Sequence, residues 1–303
     1  MAWERKMFSH KFTCLKVFFL FGIVIFMIAP IYAAADDAVV VKMRGFREDK
    51  VLDAAKEYKY QLLDLILNKT KDTDGPYRIE VTEYNVQSRV IEMVKSGDLS
   101  LIMTMTSKER EEELLPIRIP VYKGLYGYRV FIINKKDQEK FSGITTVDQL
   151  KKLWAGQGHD WPDLAILKHN GFHVVAGASY NGLFDMLAEG RFDYFPRGVH
   201  EPWKEINEHK DRKYIVEPRL CVHYPTAGYI FVSKDNEKLA DRLTRGFGKA
   251  LKDGSFDRLF NNHPDIANVL AVARLKDRLI FDIENPLLTK ETPLDNKELW
   301  YQP

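Results

Sequence analysis

GDLSLIMTMTSKEREEELLPI, residues Gly97–Ile117, runs from a turn glycine through an apolar segment into a dense charged one. Leu99–Met103 is short and apolar, the pattern of a strand buried on both faces. Gly97 closes the helical segment Gln87–Lys95 before it, where a left-handed backbone is favoured. Helix, glycine and buried strand make one unit of an α/β fold. The charged residues after the strand lie at its carboxyl end, where open α/β sheets bind ligands. Arg110 stands there among Glu109, Glu111, Glu112 and Glu113. Two readings are open. Arg110 pairs with Glu111 or Glu113 on a solvated helical turn, whose acids suit a helix N-terminus. Alternatively its planar guanidinium grips a carboxylate ligand through two parallel hydrogen bonds. Thr104, Thr106 and Ser107 bring hydroxyls to the same place.

Outward from this unit the chain alternates. Val39–Met43 and Tyr77–Tyr84 read as strands. Between them a helix is expected over Asp49–Thr70, where Leu52, Ala55, Tyr58, Leu62 and Ile66 fall three and four apart. Tyr128–Ile133 (YRVFII) is another strand. The polar stretch Asn134–Gly143 separates a second set: a short helix from Thr145–Asp148 in capping-box style, a strand in Lys152–Gln157, a helix over Pro162–His169 and a strand over Phe172–Ala176. A helix over Tyr180–Glu189 capped by Ser179 and a strand over Phe192–Phe195 come next. Tyr229–Ser233 is a further strand, and Asn236–Lys252 and Ser255–Asn261 are helices. Two such blocks predict an α/β protein with mixed, mostly parallel sheets flanked by helices.

The N-terminus reads as a leader. Arg5, Lys6, Lys11 and Lys16 precede the apolar run Val17–Ala29, and small residues at Ala33–Ala35 form an exit, the pattern of a cleaved secretory signal peptide over residues 1–35. The run is shorter than the roughly 20 residues that span a bilayer. With no cysteine at the exit, no lipid anchor is expected, and the product belongs in the periplasm. The chain carries 45 basic and 43 acidic residues. Without the leader no basic excess remains, which argues against nucleic-acid binding. Cys14 leaves with the leader, and Cys221 alone supports neither an intrachain disulfide nor a cysteine zinc cluster; it reads as a small buried hydrophobe between Leu220 and Val222. His159 has no second histidine at ligand spacing, so no metal and no cofactor is implied.

Four motifs recur in order. Gly97-Asp98, the apolar strand, Thr106–Arg110, Leu114-Leu115-Pro116 and Tyr122-Lys123-Gly124 make the first. Asp148-Gln149-Leu150, leading to Gln157-Gly158, makes the second. Gly190-Arg191-Phe192-Asp193 is the third, and the DGSFD run Asp253–Asp257 the fourth. Over about 38–262 the chain resembles the type II periplasmic solute-binding proteins, specifically the solute-binding family 3 of polar amino-acid uptake. The resemblance implies a two-lobed fold with two crossing hinge segments: lobe one from 38–132 and 226–303, lobe two from 133–225, closing over a ligand in the cleft.

The resemblance also implies roles. Arg110 would hold the ligand's α-carboxylate, with Ser107 three residues earlier where the family has threonine, and Thr106 as a further hydroxyl. Gly158 and His159 match the turn whose backbone amides bind the same carboxylate from lobe two. Pro162 beside it suits a helix's first turn, where unused N–H groups favour an anion. Trp161 either walls the pocket or packs under the loop. Five residues beyond Asp193 the family pattern has an aspartate for the ligand's ammonium, and this chain has Gly198. Its neighbour Arg197 would favour a second anionic group, and Glu201 could replace the aspartate; alternatively Arg197 pairs with Glu201 or Glu205. Tyr180 is the aromatic candidate for the cleft, while Tyr84, Tyr122, Tyr126, Tyr128, Tyr194 and Phe195 read as packing.

The function these readings imply is binding of a small anionic or zwitterionic, amino-acid-like solute by a monomer that delivers it to an ABC transporter permease. An orphan binding protein feeding a membrane sensor is the alternative. A dehydratase or lyase would need a general acid or base in the cleft. His159, His200 and Glu201 are the candidates, and they form no recognised catalytic constellation, so no enzyme is expected. The tail from Asp282 through Tyr301 reads as an extended strap on lobe one.

Overall fold

The computed structural model describes residues 38–44, 54–82 and 87–303. The leader, the start of the helix expected from Asp49, and Tyr84 lie outside them. The strands are β1 (Val39–Arg44), β2 (Tyr77–Thr82), β3 (Leu101–Met105), β4 (Leu115–Ile117), β5 (Tyr128–Asn134) and β6 (Trp154–Gly158), then β7 (His173–Gly177), β8 (Phe195–Gly198), β9 (Tyr214–Val216), β10 (Leu220–His223), β11 (Gly228–Val232) and β12 (Leu279–Asp282).

They form two larger sheets and a ribbon. The first sheet runs β2-β1-β3-β11-β4; the second runs β12-β10-β5-β8, with β9 also paired to β5. β6 and β7 pair in parallel, and an isolated parallel bridge joins Ala155 of β6 to Tyr194, just before β8. β1 is parallel to β2 and β3, while β11 runs antiparallel to β3 and β4. β5 is antiparallel to β8, β9 and β10. The antiparallel pairings therefore gather on β5 and β11, the strands that begin where the chain has just changed sheets. This is an α/β two-lobed fold with mixed sheets. β3 and β11 are buried at every residue, as their unbroken apolar runs require.

Local signals act where the sequence puts them. Thr146 and Gln149 form a reciprocal capping box, and the Ser179 hydroxyl accepts the Gly182 N–H at 3.1 Å. Gly97 adopts a φ of 83° at the end of its helix. The long helix Glu237–Lys252 packs on Tyr58–Asn68, burying Leu239, Leu243, Phe247 and Ala250 against Leu62, Leu63, Ile66 and Leu67. Each leucine, isoleucine or phenylalanine among them contributes about 1.5–3 kcal/mol. Gly246 permits the approach, because a Cβ there would lie 2.2 Å from the Ile66 carbonyl oxygen.

Three expectations are corrected. The strand expected over Phe192–Phe195 begins at Phe195, because the Asp193 carboxylate and backbone are bonded to Trp154. The expected boundary at 132/133 falls inside β5, which pairs within the second sheet along its length, so the chain crosses earlier, between β4 and β5. It returns between β10 and β11. The tail is not confined to lobe one: β12 pairs with β10 in the second sheet, and beyond it the chain returns to residues of the first half.

Candidate functional site

A cavity of about 210 Å³ lies between the two halves. The first half supplies Arg44 at the end of β1, Met103–Met105 at the end of β3, Gln87 and Ser88 in a helix's first turn, and Lys59. The second half supplies Gly158–Asp163 after β6, Gly177–Tyr180 after β7, Arg197 on β8, and Glu201. Tyr126 comes from the crossing between halves, and Arg129 from the start of β5. Five strands thus end at one place. The helices Gln87–Ser96, Pro162–His169 and Tyr180–Ala188 begin there, bringing the positive ends of their dipoles.

Five expected site residues line the cavity: Gly158, His159, Tyr180, Arg197 and Glu201. Their donors and acceptors are largely committed. The His159 amide, expected to face a ligand, donates to the Gly177 carbonyl at 3.0 Å. The Tyr180 hydroxyl donates to Glu205 at 2.9 Å. Arg197 forks onto Glu205 through Nε and Nη2 and reaches Glu201 at 2.8 Å. Its guanidinium carbon lies 4.7 Å from the Trp161 ring centre. Burial works against this cation, but Glu201 and Glu205 outweigh burial and raise its pKa. Arg197 is thus the centre of a buried ion cluster, and Glu201 and Glu205 both pair with it, in the wall rather than at the surface. Burial alone would also raise the Glu201 pKa, but Arg197, His200 and Arg129 hold it near 2.

Arg110, Thr106 and Ser107 do not line the cavity. Ser107 caps the helix Lys108–Glu113 by accepting the Arg110 N–H at 3.2 Å. The Arg110 guanidinium is buried behind β3 and donates to Thr104 Oγ1 at 3.2 Å, the Met105 carbonyl at 2.6 Å and Gln87 Oε1 at 2.5 Å. Burial lowers its pKa to about 10. It fixes two residues that do line the cavity, Gln87 and Thr104. The glutamates around it are not all solvated: Glu111 is held by Thr106, Arg118 and Thr289.

Arg129, Asp163 and Lys59 were not singled out from the sequence. Arg129 Nη2 lies 2.9 Å from Asp163 Oδ1, which also accepts the Tyr224 hydroxyl. The signal was an arginine inside the apolar strand YRVFII, since a charge buried there requires a partner. Lys59 Nζ donates to the Met103 carbonyl at 3.2 Å.

The fold is similar to that of two-lobed periplasmic binding proteins. An arginine-specific periplasmic binding protein of Salmonella typhimurium superposes with a TM-score of 0.53 at 15% identity, covering 75% of this chain and 99% of its own. An ancestral arginine-binding protein bound to glutamine gives 0.55 at 17%, covering 75% and 96%. The GluR0 ligand-binding core of Nostoc punctiforme, in complex with L-glutamate, gives 0.53 at 12%, covering 75% and 99%. At such identities the likeness establishes the fold. No family model matches the chain, and no curated protein matches it.

Proposed function

We propose that the chain is a periplasmic solute-binding protein. It takes a small anionic or zwitterionic solute into the cleft between its halves and delivers it to a membrane transporter. One observation carries this reading: strand ends and helix N-termini from both halves meet around a single cavity. A ligand there touches both halves at once, so closure and binding stabilise each other. The three helix N-termini favour a negative group. The superposed proteins bind arginine, glutamate and glutamine. The reading is of a binder: His159 and Glu201 already bond to Gly177, Gly198 and Arg197.

The test is a thermal-shift screen of the chain without its leader against amino acids, dicarboxylic acids and small sugar acids. A bound solute at a hundred times its dissociation constant should add ~2.7 kcal/mol to stability and raise Tm. Absence of any shift, with no heat on titration across the three classes, would overturn the reading.

A further inference from the structure

We propose that the ligand is a small carboxylate without an ammonium group, gripped by Arg129. This rests on the solute-binding reading and narrows it. The argument starts from the acids of the cavity, where an amino group would have to bind. Asp163 is taken by Arg129 Nη2 and by the Tyr224 hydroxyl. Glu201 is taken on one oxygen by Arg197 at 2.8 Å and on the other by the Gly198 N–H at 2.7 Å. An ammonium would have to displace a buried guanidinium from either. Asp160, the remaining acid, accepts the Ser88 N–H across the cleft at 3.4 Å.

Two of the lining cations, Arg129 and Lys59, are in a different condition. Arg129 is 3% exposed and carries five donors in a planar fork. Its Nη2 is used on Asp163 and on the Met105 sulfur at 3.3 Å. Its Nη1 faces the Glu201 carboxylate at 3.9 Å, beyond hydrogen-bond distance. Its Nε is buried with no partner among the described residues. A carboxylate in the cavity offers Nη1 a closer charged partner than Glu201 does. Lys59, from the other half, has spent one of its three donors on the Met103 carbonyl. Arg110 cannot take this role from its present place, since Gln87, Thr104 and Met105 occupy its donors outside the cavity lining.

The experiment is titration calorimetry of the chain without its leader against acid pairs that differ by the amino group: succinate with aspartate, lactate with alanine. The member without the ammonium is expected to bind at least as tightly. Arg129→Lys, and the double variant Arg129→Gln with Asp163→Asn, which leaves no lone buried charge, should each weaken binding by about tenfold or more while melting cooperatively. The melt of each unliganded variant establishes that it is folded. Aspartate or alanine binding about tenfold tighter than its partner overturns the proposal, because the ammonium then counts. A folded Arg129 variant with unchanged affinity overturns it as well. If only a solute that is not a carboxylate binds, the proposal falls while the solute-binding reading stands; if no solute binds, both fall.

Discussion

Lys204 Nζ in the second half lies 2.8 Å from Glu57 Oε1, the residue that begins the helix Tyr58–Asn68 in the first. With the Ser88 amide on Asp160, it ties the two sides of the cleft together. The lysine side chain is 48% exposed and the glutamate 25%, so water and salt screen the pair. Replacing Lys204 with Met is therefore expected to cost no more than about 1 kcal/mol of affinity, roughly fivefold. The wild type should lose a similar amount at high salt, and the variant less. Calorimetry at two salt concentrations checks this, and a loss beyond about a hundredfold would show that the latch governs closure.

The Arg197 cluster should behave differently, because its central pair is far less exposed. Its guanidinium and the Glu205 carboxylate are 7% and 8% exposed. Arg197→Met strands two carboxylates in the wall. A loss of about 3–5 kcal/mol of unfolding free energy is expected. Burial raises the Glu205 pKa even with the arginine present, so the variant's Glu205 should become protonated. Adding Glu205→Leu and Glu201→Gln should restore much of the loss. Urea denaturation of the single and triple variants checks both statements.

The fold was legible because its units are local. Unbroken apolar strands, Gly97 at a helix end and the Thr146–Gln149 box each state their structure within a few residues. The short strands β4, β9, β10 and β12 were not read, since three or four residues carry no period. The site was legible by half. Gly158, Tyr180 and Glu201 sit at element ends, where topology alone brings them to the cavity. Whether a guanidinium faces the cavity or the core depends on χ angles and on distant partners. Arg110 and Arg129 both sit near strand ends, and no spacing rule distinguishes the one that turns to Gln87 from the one that meets Asp163.

His200 joins the halves by aromatic contact. Its ring stacks on Tyr122 at 4.4 Å and meets Tyr126 edge-on at 4.8 Å. Burial, with Lys59, Arg129 and Arg197 nearby, lowers its pKa to about 4, although Glu201 pulls the other way. The folded ring stays neutral while the unfolded one takes a proton near pH 6.5. Its contribution is therefore intact above about pH 6.5 and is lost as the pH falls toward 4, at most about 3 kcal/mol. His200→Phe keeps the stacking and removes the titration. Urea melts at about pH 7 and about pH 4.5 should show a larger fall for the wild type than for the variant. Equal falls would mean the ring does not carry this linkage.

The chain re-enters the second half at β12, and the C-terminal strap then carries it back to the first. In the second half, Arg278 donates to the Glu217 and Leu220 carbonyls at 2.6 and 2.9 Å, and Asn170 Nδ2 donates to the Glu284 carbonyl at 2.8 Å. A residue or two later the strap is held by the first half: Lys108 donates its amide to Leu287 and its ammonium to Pro286, and Thr289 donates to Glu111. Its end is pinned where the Tyr301 N–H meets the Lys123 carbonyl at 2.7 Å and the Trp300 ring covers Gly124. Gly124 has a φ of 78°, and a Cβ there would lie 2.4 Å from the indole. A chain ending at Asn285 keeps the anchors in the second half and loses those in the first. Opening of the cleft no longer has to break these bonds, so the unliganded form should spend more time open. Small-angle scattering should give a larger radius of gyration for the truncated chain without solute, and the same radius with solute bound. Loss of the half-buried indole should also cost roughly 2 kcal/mol of stability. An unliganded radius equal to that of the full chain would mean that the strap follows the halves without restraining them.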